Sequence, residues 1–282
     1  MDPASLLATL DRERRALVRE GDVIEVLPHV TRLRPVGGNF HSVIFHTVIY
    51  SCLDERSADG VIAGEVDHYR RLGAAFEWKV YSHDRPADLL DRLRRHGFVV
   101  GPMEAVMALD LSELPDWVNA QDPVEVARVE SVEQAALYKV AAEEIFGKDY
   151  GLTAGQLADG IRSGSRQHVG YLAFCDGVPA GIGRLYTHPD SAFGGLYGGG
   201  TRPAFRGRGV YRALVAARAR DAVCTGARYL IVDALPTSRP ILQRLGFRHV
   251  ADTWPCEWKP PVTAGASSSR ISPRDRSPGS TP

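Results

Sequence analysis

A short segment in which two arginines alternate with two glycines is the part of this chain best suited to chemistry. Residues 206–209 read Arg-Gly-Arg-Gly and precede a stretch with apolar residues at helical spacing, beginning at Val210. Glycines let a backbone approach a ligand closely, and the first N–H groups of a helix have no intrahelical partner. With the positive end of the helix dipole, these donors predict a site for a phosphate or pyrophosphate. A basic surface turn without a ligand is the open alternative for this segment alone.

Two common phosphate-binding loops do not fit this segment. A P-loop requires Lys-Ser or Lys-Thr after its last glycine, where Val210 and Tyr211 stand. A dinucleotide fingerprint requires a small residue at position 212, which is Arg212. The segment instead resembles the acyl-CoA loop of the GNAT acyltransferase superfamily, Gln/Arg-x-x-Gly-x-Gly/Ala. Tyr211 departs from the final small residue of that motif.

The elements around the loop must position it, and their order extends the resemblance over residues 124–258. Asp176-Gly177 predicts a hairpin turn, and Gly246-Phe247 closes the last short helix, for which Ser238 is the expected N-cap. The resemblance implies an α/β (α+β) fold with a GNAT-type mixed, mainly antiparallel sheet flanked by helices. Patterning alone indicates only α/β or α+β. The predicted strands cover residues 124–129, 168–175, 179–187, 196–201 and 227–235, and the predicted helices cover 132–146, 154–163, a stretch from 210 and 238–245.

The first half of the chain repeats part of this order. Arg85-Pro86 leads through a predicted helix to Gly97-Phe98, as Arg239-Pro240 leads to Gly246-Phe247. We interpret this as a distant internal duplication that resembles tandem GNAT proteins, with accidental recurrence as the alternative. The first copy is degenerate because residues 57–60, its nearest loop candidate, are acidic. The first copy has predicted helices over residues 57–72 and 86–96, the latter capped by Asp84, and predicted strands within 30–51, 76–82 and 104–110. A separate helix is predicted over residues 3–19.

The domain prediction follows from this division. We expect an N-terminal helix over residues 1–20, a degenerate GNAT-like domain without a CoA loop over 21–115, and a GNAT acyltransferase domain over 116–260. Residues 261–282 are rich in Ser, Pro and Arg and have little to bury, which predicts a disordered tail.

Composition excludes several classes of protein. Lys plus Arg and Asp plus Glu both number 34 in 282 residues, so no global field favours nucleic acid or a membrane surface. No apolar run suggests a membrane span, and the first residues lack the pattern of a signal peptide. The four cysteines form no close pair, which argues against a metal site and fits reduced thiols in a cytoplasmic protein.

Acetyl-CoA is the co-substrate that the resemblance implies, with no metal. The loop would hold the pyrophosphate, and the preceding strand would splay from its neighbour to bind the pantetheine arm and offer an N–H to the thioester oxygen. The implied cofactor-binding residues are Gly199, Gly200, Thr201, Arg206, Gly207, Arg208, Gly209, Val210 and Tyr211.

The proton carriers are harder to assign. Many relatives place a tyrosine four residues before the Gly-Phe glycine, a position that Leu242 occupies here. Ser238, water or another tyrosine could protonate the thiolate, or it could leave unprotonated. Asp233, Glu143 and Glu144 form the pool for the base, with solvated or capping roles as the alternative for each. Tyr186 and His188 also lie near the expected cleft. Our catalytic candidates are Glu144, Asp233 and Ser238.

The predicted function is acetyl-CoA-dependent N-acetyltransfer to a primary amine of a small molecule or peptide, by direct transfer. The alternative is a catalytically inactive acyl-CoA-binding regulatory module, suggested by Leu242. A nucleic-acid contact through the arginines of residues 202–220 is disfavoured by the zero net charge. We expect a monomer or homodimer. The resemblance does not identify the acceptor, because one fold hosts many acceptors.

Overall fold

The computed structural model describes residues 2–17, 20–35 and 46–261. Within them the helices are α1 (Pro3–Ala16), α2 (Ala58–Leu72), α3 (Leu89–Arg95), α4 (Asp116–Asn119), α5 (Val132–Phe146), α6 (Gly151–Ser163), α7 (Val210–Cys224) and α8 (Arg239–Arg244). The strands are β1 (Asp22–Val26), β2 (Val30–Pro35), β3 (Thr47–Ser51), β4 (Phe76–Tyr81), β5 (Val99–Val100), β6 (Glu104–Asp110), β7 (Glu125–Arg128), β8 (His168–Cys175), β9 (Val178–Tyr186), β10 (Phe193–Thr201), β11 (Tyr229–Ala234) and β12 (Arg248–Trp258).

All these strands join one sheet with the order β1-β2-β3-β4-β12-β6-β11-β10-β9-β8-β7, and β5 pairs separately with β12. The pairs β3–β4 and β10–β11 are parallel, and the other pairs are antiparallel. The predicted fold class, a mixed and mainly antiparallel sheet flanked by helices, is confirmed.

The helices cover the sheet on two faces. On β6, Val106 and Ala108 pack with α1, whereas Met107 and Leu109 join the core around α7 and α8. Successive strand residues point to opposite faces. The same alternation puts α5 and α6 on the side of α1, and α2 and α3 on the side of α7. We call the side of α1, α5 and α6 the front face and the other the back face.

The two halves of the chain exchange their last strands. β6, from the first half, pairs with β11 from Tyr229–Asp110 to Ala234–Ala105. β12, from the second half, pairs with β4 from Thr253–Tyr81 to Trp258–Phe76. β6 and β12 also pair with each other. Each half therefore completes its sheet with a strand of the other half.

The halves also share local geometry. In each half, a long helix, α2 or α7, connects two parallel strands, and a short helix, α3 or α8, follows the second of them. Gly97 and Gly246 follow the short helices and have the same φ of 88°. That left-handed conformation is the one glycine adopts freely, which explains the repeated Gly-Phe pairs. These correspondences support the duplication, which stays a prediction.

Several local predictions need correction. Asp84 does not cap α3, because its carboxylate accepts a hydrogen bond from Tyr81 N at 2.8 Å; the helix begins at Leu89, with Asp88 as N-cap. Ser238 stands at the N-cap of α8, but its hydroxyl donates to Leu235 O at 3.1 Å instead of capping the helix. Short helix α4 and strand β1 were not predicted.

The tail prediction falls outside the described residues, as does the glycine pair at 37–38. Within the described part of the chain, no helix is long and apolar enough to cross a membrane. The four cysteines are free thiols, as predicted. The predicted Asp176-Gly177 hairpin turn is confirmed, with φ of 53° and 75°.

Candidate active site

The turn before α7 has the backbone conformation of an anion cradle. Gly207 and Gly209 have φ of 77° and 81°, a region that other L residues rarely adopt. Gly209 is the N-cap of α7, and the first helical bond runs from Ala213 N to Gly209 O at 3.0 Å. The N–H groups before Ala213 in the first turn therefore have no intrahelical acceptor. The exposed turn directs them toward solvent with the positive end of the helix dipole behind them.

Two arginines at this turn are held by carboxylates from neighbouring segments. Arg208 pairs with Asp176 of the β8–β9 turn at 2.9 Å, and Arg212 pairs with Asp122 at 2.9 Å. These ion pairs offset much of the side-chain charge at the turn. Anion binding there would depend chiefly on backbone N–H groups, and the arginines would add screened surface attraction.

A gap opens between β10 and β11, because their ladder ends before the end of either strand. The parallel ladder joins Phe193, Gly194 and Gly195 to residues 229–231 and then ends. On its other edge, β10 continues along β9, with a bulge between Tyr197 and Gly200. Gly198, at φ of 52°, lies in that bulge. A bulge bends and twists its strand, which accounts for the divergence of β10 from β11.

Glycines in β10 are required for packing as well as for access. A Cβ on Gly200 would lie 2.6 Å from Ile145 of α5. A Cβ on Gly199 would lie 3.2 Å from Arg218 Nη2 and 3.3 Å from the ring of Tyr211. Helices on both faces therefore approach the strand more closely than a side chain would allow, a packing role that the sequence did not reveal.

Tyr211, the departure from the loop motif, does not obstruct the turn. Its ring is half-buried against Gly199 and the back-face core, so it points under the sheet and away from the exposed turn. Burial raises the pKa of the Tyr211 hydroxyl, and the neighbouring Ser238 side chain opposes that shift. Two of the predicted site residues, Tyr211 and Ser238, are therefore neighbours.

Asp233 lies on the front face, where β11 has diverged from β10. Its carboxylate pairs with Lys79 Nζ at 3.0 Å, and the same ammonium contacts Glu104 Oε2 at 2.9 Å. Burial alone would lower the pKa of Lys79, but Asp233 and the other acidic groups around it raise that pKa above its ordinary value. Lys79 belongs to β4 and Glu104 to β6, so the first half of the chain holds this carboxylate in place.

The two glutamates predicted on α5 are engaged differently. Glu144 pairs with Arg202 at 2.5 Å, and that hydrogen bond holds the pKa of Glu144 below its ordinary value. Glu143 accepts a hydrogen bond from Tyr150 N at 3.2 Å and lies 3.5 Å from Lys139. The contacts with Arg202 and Tyr150 tie the end of α5 to neighbouring segments. Of the candidate bases, Asp233 is the one that lies on a strand bordering the gap.

Two other sequence candidates have structural partners. His188 Nδ1 accepts a hydrogen bond from Asp190 N at 3.1 Å, as a loop histidine does. Leu242 is fully buried in the back-face core. It has no polar atom to donate, so position 242 contributes packing to this protein and not a proton.

Sequence reasoning missed three polar groups that surround the gap. Lys79 lies in the half that lacks the loop, Arg184 is a single arginine in an apolar strand, and Arg218 lies on an otherwise buried side of α7. Arg218 is 1% exposed, and burial lowers its pKa. The one signal available was an arginine directly preceded and followed by alanine within a run of apolar residues from Ala213 to Ala219.

Comparison with known proteins agrees with this geometry. Residues 136–247 match the model of the Acetyltransferase (GNAT) family, and that range includes the glycine turn, the gap, Asp233 and the Gly-Phe pair. No curated protein matches the chain. The prediction of a GNAT-family acyltransferase is confirmed, and members of this family use acetyl-CoA.

Solved GNAT structures share the fold over most of the chain. A GCN5-related N-acetyltransferase from Kribbella flavida is 16% identical, with a TM-score of 0.63 over 90% of this chain and 93% of that one. A GCN5-related N-acetyltransferase from Sphaerobacter thermophilus is 14% identical, with a TM-score of 0.57 over 92% and 94%. A tandem GNAT protein from the clavulanic acid biosynthesis pathway is 13% identical, with a TM-score of 0.54 over 82% and 78%. At these identities the likeness establishes the fold.

Proposed function

We propose that this GNAT protein is an acetyl-CoA-dependent N-acetyltransferase that acts on a primary amine of a small molecule or peptide by direct transfer. The observation that carries the proposal is the early end of the β10–β11 ladder, because the glycine turn of α7 follows β10 in the chain and Asp233 lies on β11 two residues beyond that end. A donor held by the turn could pass its thioester through this gap toward the front face.

Donor binding uses the backbone of the turn and of β10. N–H groups from Gly207 to Tyr211 hold the pyrophosphate, helped by Arg206 and Arg208. The unpaired edge of β10 at Gly199, Gly200 and Thr201 binds the pantetheine arm, because its ladder to β11 has ended. A backbone N–H of this edge stabilises the oxyanion, a contribution of about 3 kcal/mol to the barrier where the donor is preorganised.

Acyl transfer itself requires one proton acceptor and one stabilised leaving group. The amine nitrogen attacks the thioester carbon, its proton passes to Asp233 directly or through a water, and the C–S bond breaks as the tetrahedral intermediate collapses. The thiolate takes a proton from the Tyr211 and Ser238 pair or leaves as the anion. Lys79 acts by fixing the position of the Asp233 carboxylate. Glu144 remains a weaker candidate for the base, since its carboxylate already pairs with Arg202.

A second candidate function is an inactive acyl-CoA-binding module. The specific observation in its favour is the burial of Leu242 at the position where many relatives carry a tyrosine. Such a module would bind acetyl-CoA at the same turn and release no thiol.

Thiol release in the presence of an amine panel separates the two candidates. We expect acetyl-CoA-dependent release with at least one primary amine, and a loss of about 100-fold or more in kcat for Asp233→Asn, typical of a missing general base. Asp67→Asn, which removes an exposed carboxylate of α2 that pairs with Arg70, serves as the matched control. Tight acetyl-CoA binding without release for any amine would favour the module.

We also propose that residues 21–115 are a degenerate GNAT-like unit and that residues 116–260 form the acyltransferase unit. The exchanged strands and the matching Gly-Phe turns support this division. The first unit, in this proposal, completes the sheet and supplies Lys79 and Glu104 to the acceptor side of the gap. We propose a cytoplasmic monomer or homodimer without a metal or nucleic-acid partner.

A further inference from the structure

Buried polar atoms without partners are concentrated around the bulge of β10. Among the described residues, ten buried side-chain nitrogen or oxygen atoms have no hydrogen-bond partner. Four of them belong to residues that flank or form the end of β10: Arg184 Nε, Thr201 Oγ1, Arg202 Nε and Arg218 Nη2. A fifth, Tyr138 Oη, lies beside Arg184, and both the charge of Arg184 and hydrogen bonding with it act on the pKa of Tyr138. Buried polar groups are nearly always satisfied in folded proteins, so these groups are available to pair with a bound ligand or with ordered water.

Arg184 is the member of this cluster that faces the acceptor side. It lies on β9 opposite Tyr197, and its neighbour Ile182 packs against α5 and α6, which puts both side chains on the front face. A Cβ built on Gly198 would lie 3.5 Å from both Nε and Nη2 of Arg184 and 3.7 Å from Tyr138 Oη. The bulge therefore leaves an open cradle bordered by a guanidinium and a phenol.

No carboxylate among the described residues pairs with Arg184, whereas Arg202, Arg208 and Arg212 each pair with one. Tyr138 is fully buried, and its pKa is raised to about 12 by that burial, with Arg184 opposing the shift. Both groups are thus hydrogen-bond donors near neutral pH. A half-buried guanidinium without an anion is unfavourable, and its planar fork matches a carboxylate.

The position of Arg184 relative to Asp233 defines what could bind. On one edge of β10, Tyr197 is the register partner of Arg184. On the other edge, Gly195 is the last partner of β11 and lies opposite Ile231. Two residues further along each parallel strand come Tyr197 and Asp233. Arg184, Tyr197 and Asp233 therefore share one row across three strands. Two strand spacings separate the outer members by roughly 10 Å before the gap is added, a distance that their side chains and a small substrate can span together.

We infer that Arg184 and Tyr138 bind a carboxylate carried by a substrate of the acyl transfer. This inference rests on the proposed function and narrows it. On the acceptor, the carboxylate belongs to an amino acid or short peptide whose amine lies at Asp233. On the donor, it would end a dicarboxylic acyl chain that passes through the gap. The two sources share one binding group and differ in which substrate shows the preference.

The first arm of the test compares acceptors with acetyl-CoA as donor. Each of a panel of amino acids is paired with its amide, which keeps the amine and side chain and removes the negative charge. We expect the acids to exceed the amides by about 10- to 100-fold in kcat/KM, the range for one charge-assisted hydrogen-bonded pair. Arg184→Gln should remove that preference by weakening the acids alone, and Tyr138→Phe should reduce it.

The second arm compares donors by calorimetry, without an amine. If the carboxylate belongs to the acyl chain, succinyl-CoA binds more tightly than butyryl-CoA by a similar factor, and Arg184→Gln removes the difference. Arg162→Gln, on an exposed side of α6 where Arg162 pairs with Asp159, is the control and should leave both preferences intact. Thermal melting of each variant verifies folding, and Arg184→Lys keeps the charge if the glutamine variant is unstable.

The outcomes separate this inference from the proposed function. If acetyl-CoA binds but no amine releases thiol, the enzyme proposal fails. The first arm is then measured as calorimetric binding of the acids and amides to the CoA-loaded protein, which still tests the inference. The inference is overturned if neither arm shows a preference for the carboxylate, or if Arg184→Gln weakens charged and neutral partners equally.

Discussion

Removal of residues 1–111 should unfold the half of the chain that carries the glycine turn. That deletion takes away β6, which lies between β11 and β12 in the sheet. Without it, β11 loses its antiparallel partner from Tyr229 to Ala234 and the core beneath α7 and α8 loses the side chains of Met107 and Leu109.

The magnitude follows from burial. Residues 105–109 are each 5% exposed or less. Truncation of one large buried side chain such as Met107 costs about 2–5 kcal/mol, so loss of the whole strand costs on the order of 10 kcal/mol. A domain is stable by only about 5–15 kcal/mol, so the fragment should not fold.

The assay is fragment complementation. The 112–261 fragment alone should be insoluble or show no protected amides, and co-expression with residues 1–111 should restore a stable complex that binds acetyl-CoA. In the full chain, Met107→Ala should lower the free energy of unfolding by about 2–5 kcal/mol and reduce hydrogen-exchange protection in β11 and α7. A folded, acetyl-CoA-binding 112–261 fragment would refute the reasoning about the exchanged strand.

Three further changes test individual contacts. Leu242→Tyr should lower stability by about 1–3 kcal/mol in urea unfolding without raising turnover, because it overpacks a filled core; a faster enzyme would contradict this. Hydrogen bonding to Asp11 raises the pKa of His83, so this pair stabilises the fold below about pH 6.5 and loses its effect as the pH rises through the raised pKa. His83→Gln should therefore reduce stability by up to about 1 kcal/mol at pH 5.5 and less at pH 8.5, and an equal loss at both would argue against the charge. Lys79→Met should lower both melting temperature and kcat, since it leaves two facing carboxylates, while Lys79→Arg should restore part of each; unchanged kcat would exclude a role in positioning Asp233.

Local signals predicted most of the second half. Glycine and turn residues mark backbone conformations that few other residues adopt, so the Asp176-Gly177 turn, the positive-φ glycines at 207 and 209 and the Gly246 turn lie where the pattern puts them. Helix α5, for which Ser131 provides a capping box and Gly147 a left-handed end, was placed to the residue. The family resemblance then supplied the strand order, which no local pattern contains.

The exchange of β6 and β12 could not be predicted in the same way. Strand pairing between residues more than 100 positions apart depends on the assembled sheet, and an apolar strand such as β6 reads the same beside any partner. The cluster around Asp233 was missed for this reason, because Lys79 reaches it only through that exchange. The N-cap role of Asp84 failed because its carboxylate had a closer donor, Tyr81 N.

Calorimetric titration with acetyl-CoA, comparing Gly209→Asp with Gly209→Asn, tests the central claim most directly. Both side chains have nearly the same shape and tolerate the left-handed conformation at position 209 better than other residues do. They differ by one negative charge beside the expected pyrophosphate. Wild type should bind acetyl-CoA, the asparagine variant should bind it more weakly, and the aspartate variant should lose a further 10-fold or more in affinity, about 1.4 kcal/mol. Equal binding by the two variants, or none by the wild type, would contradict acyl-CoA recognition at this turn.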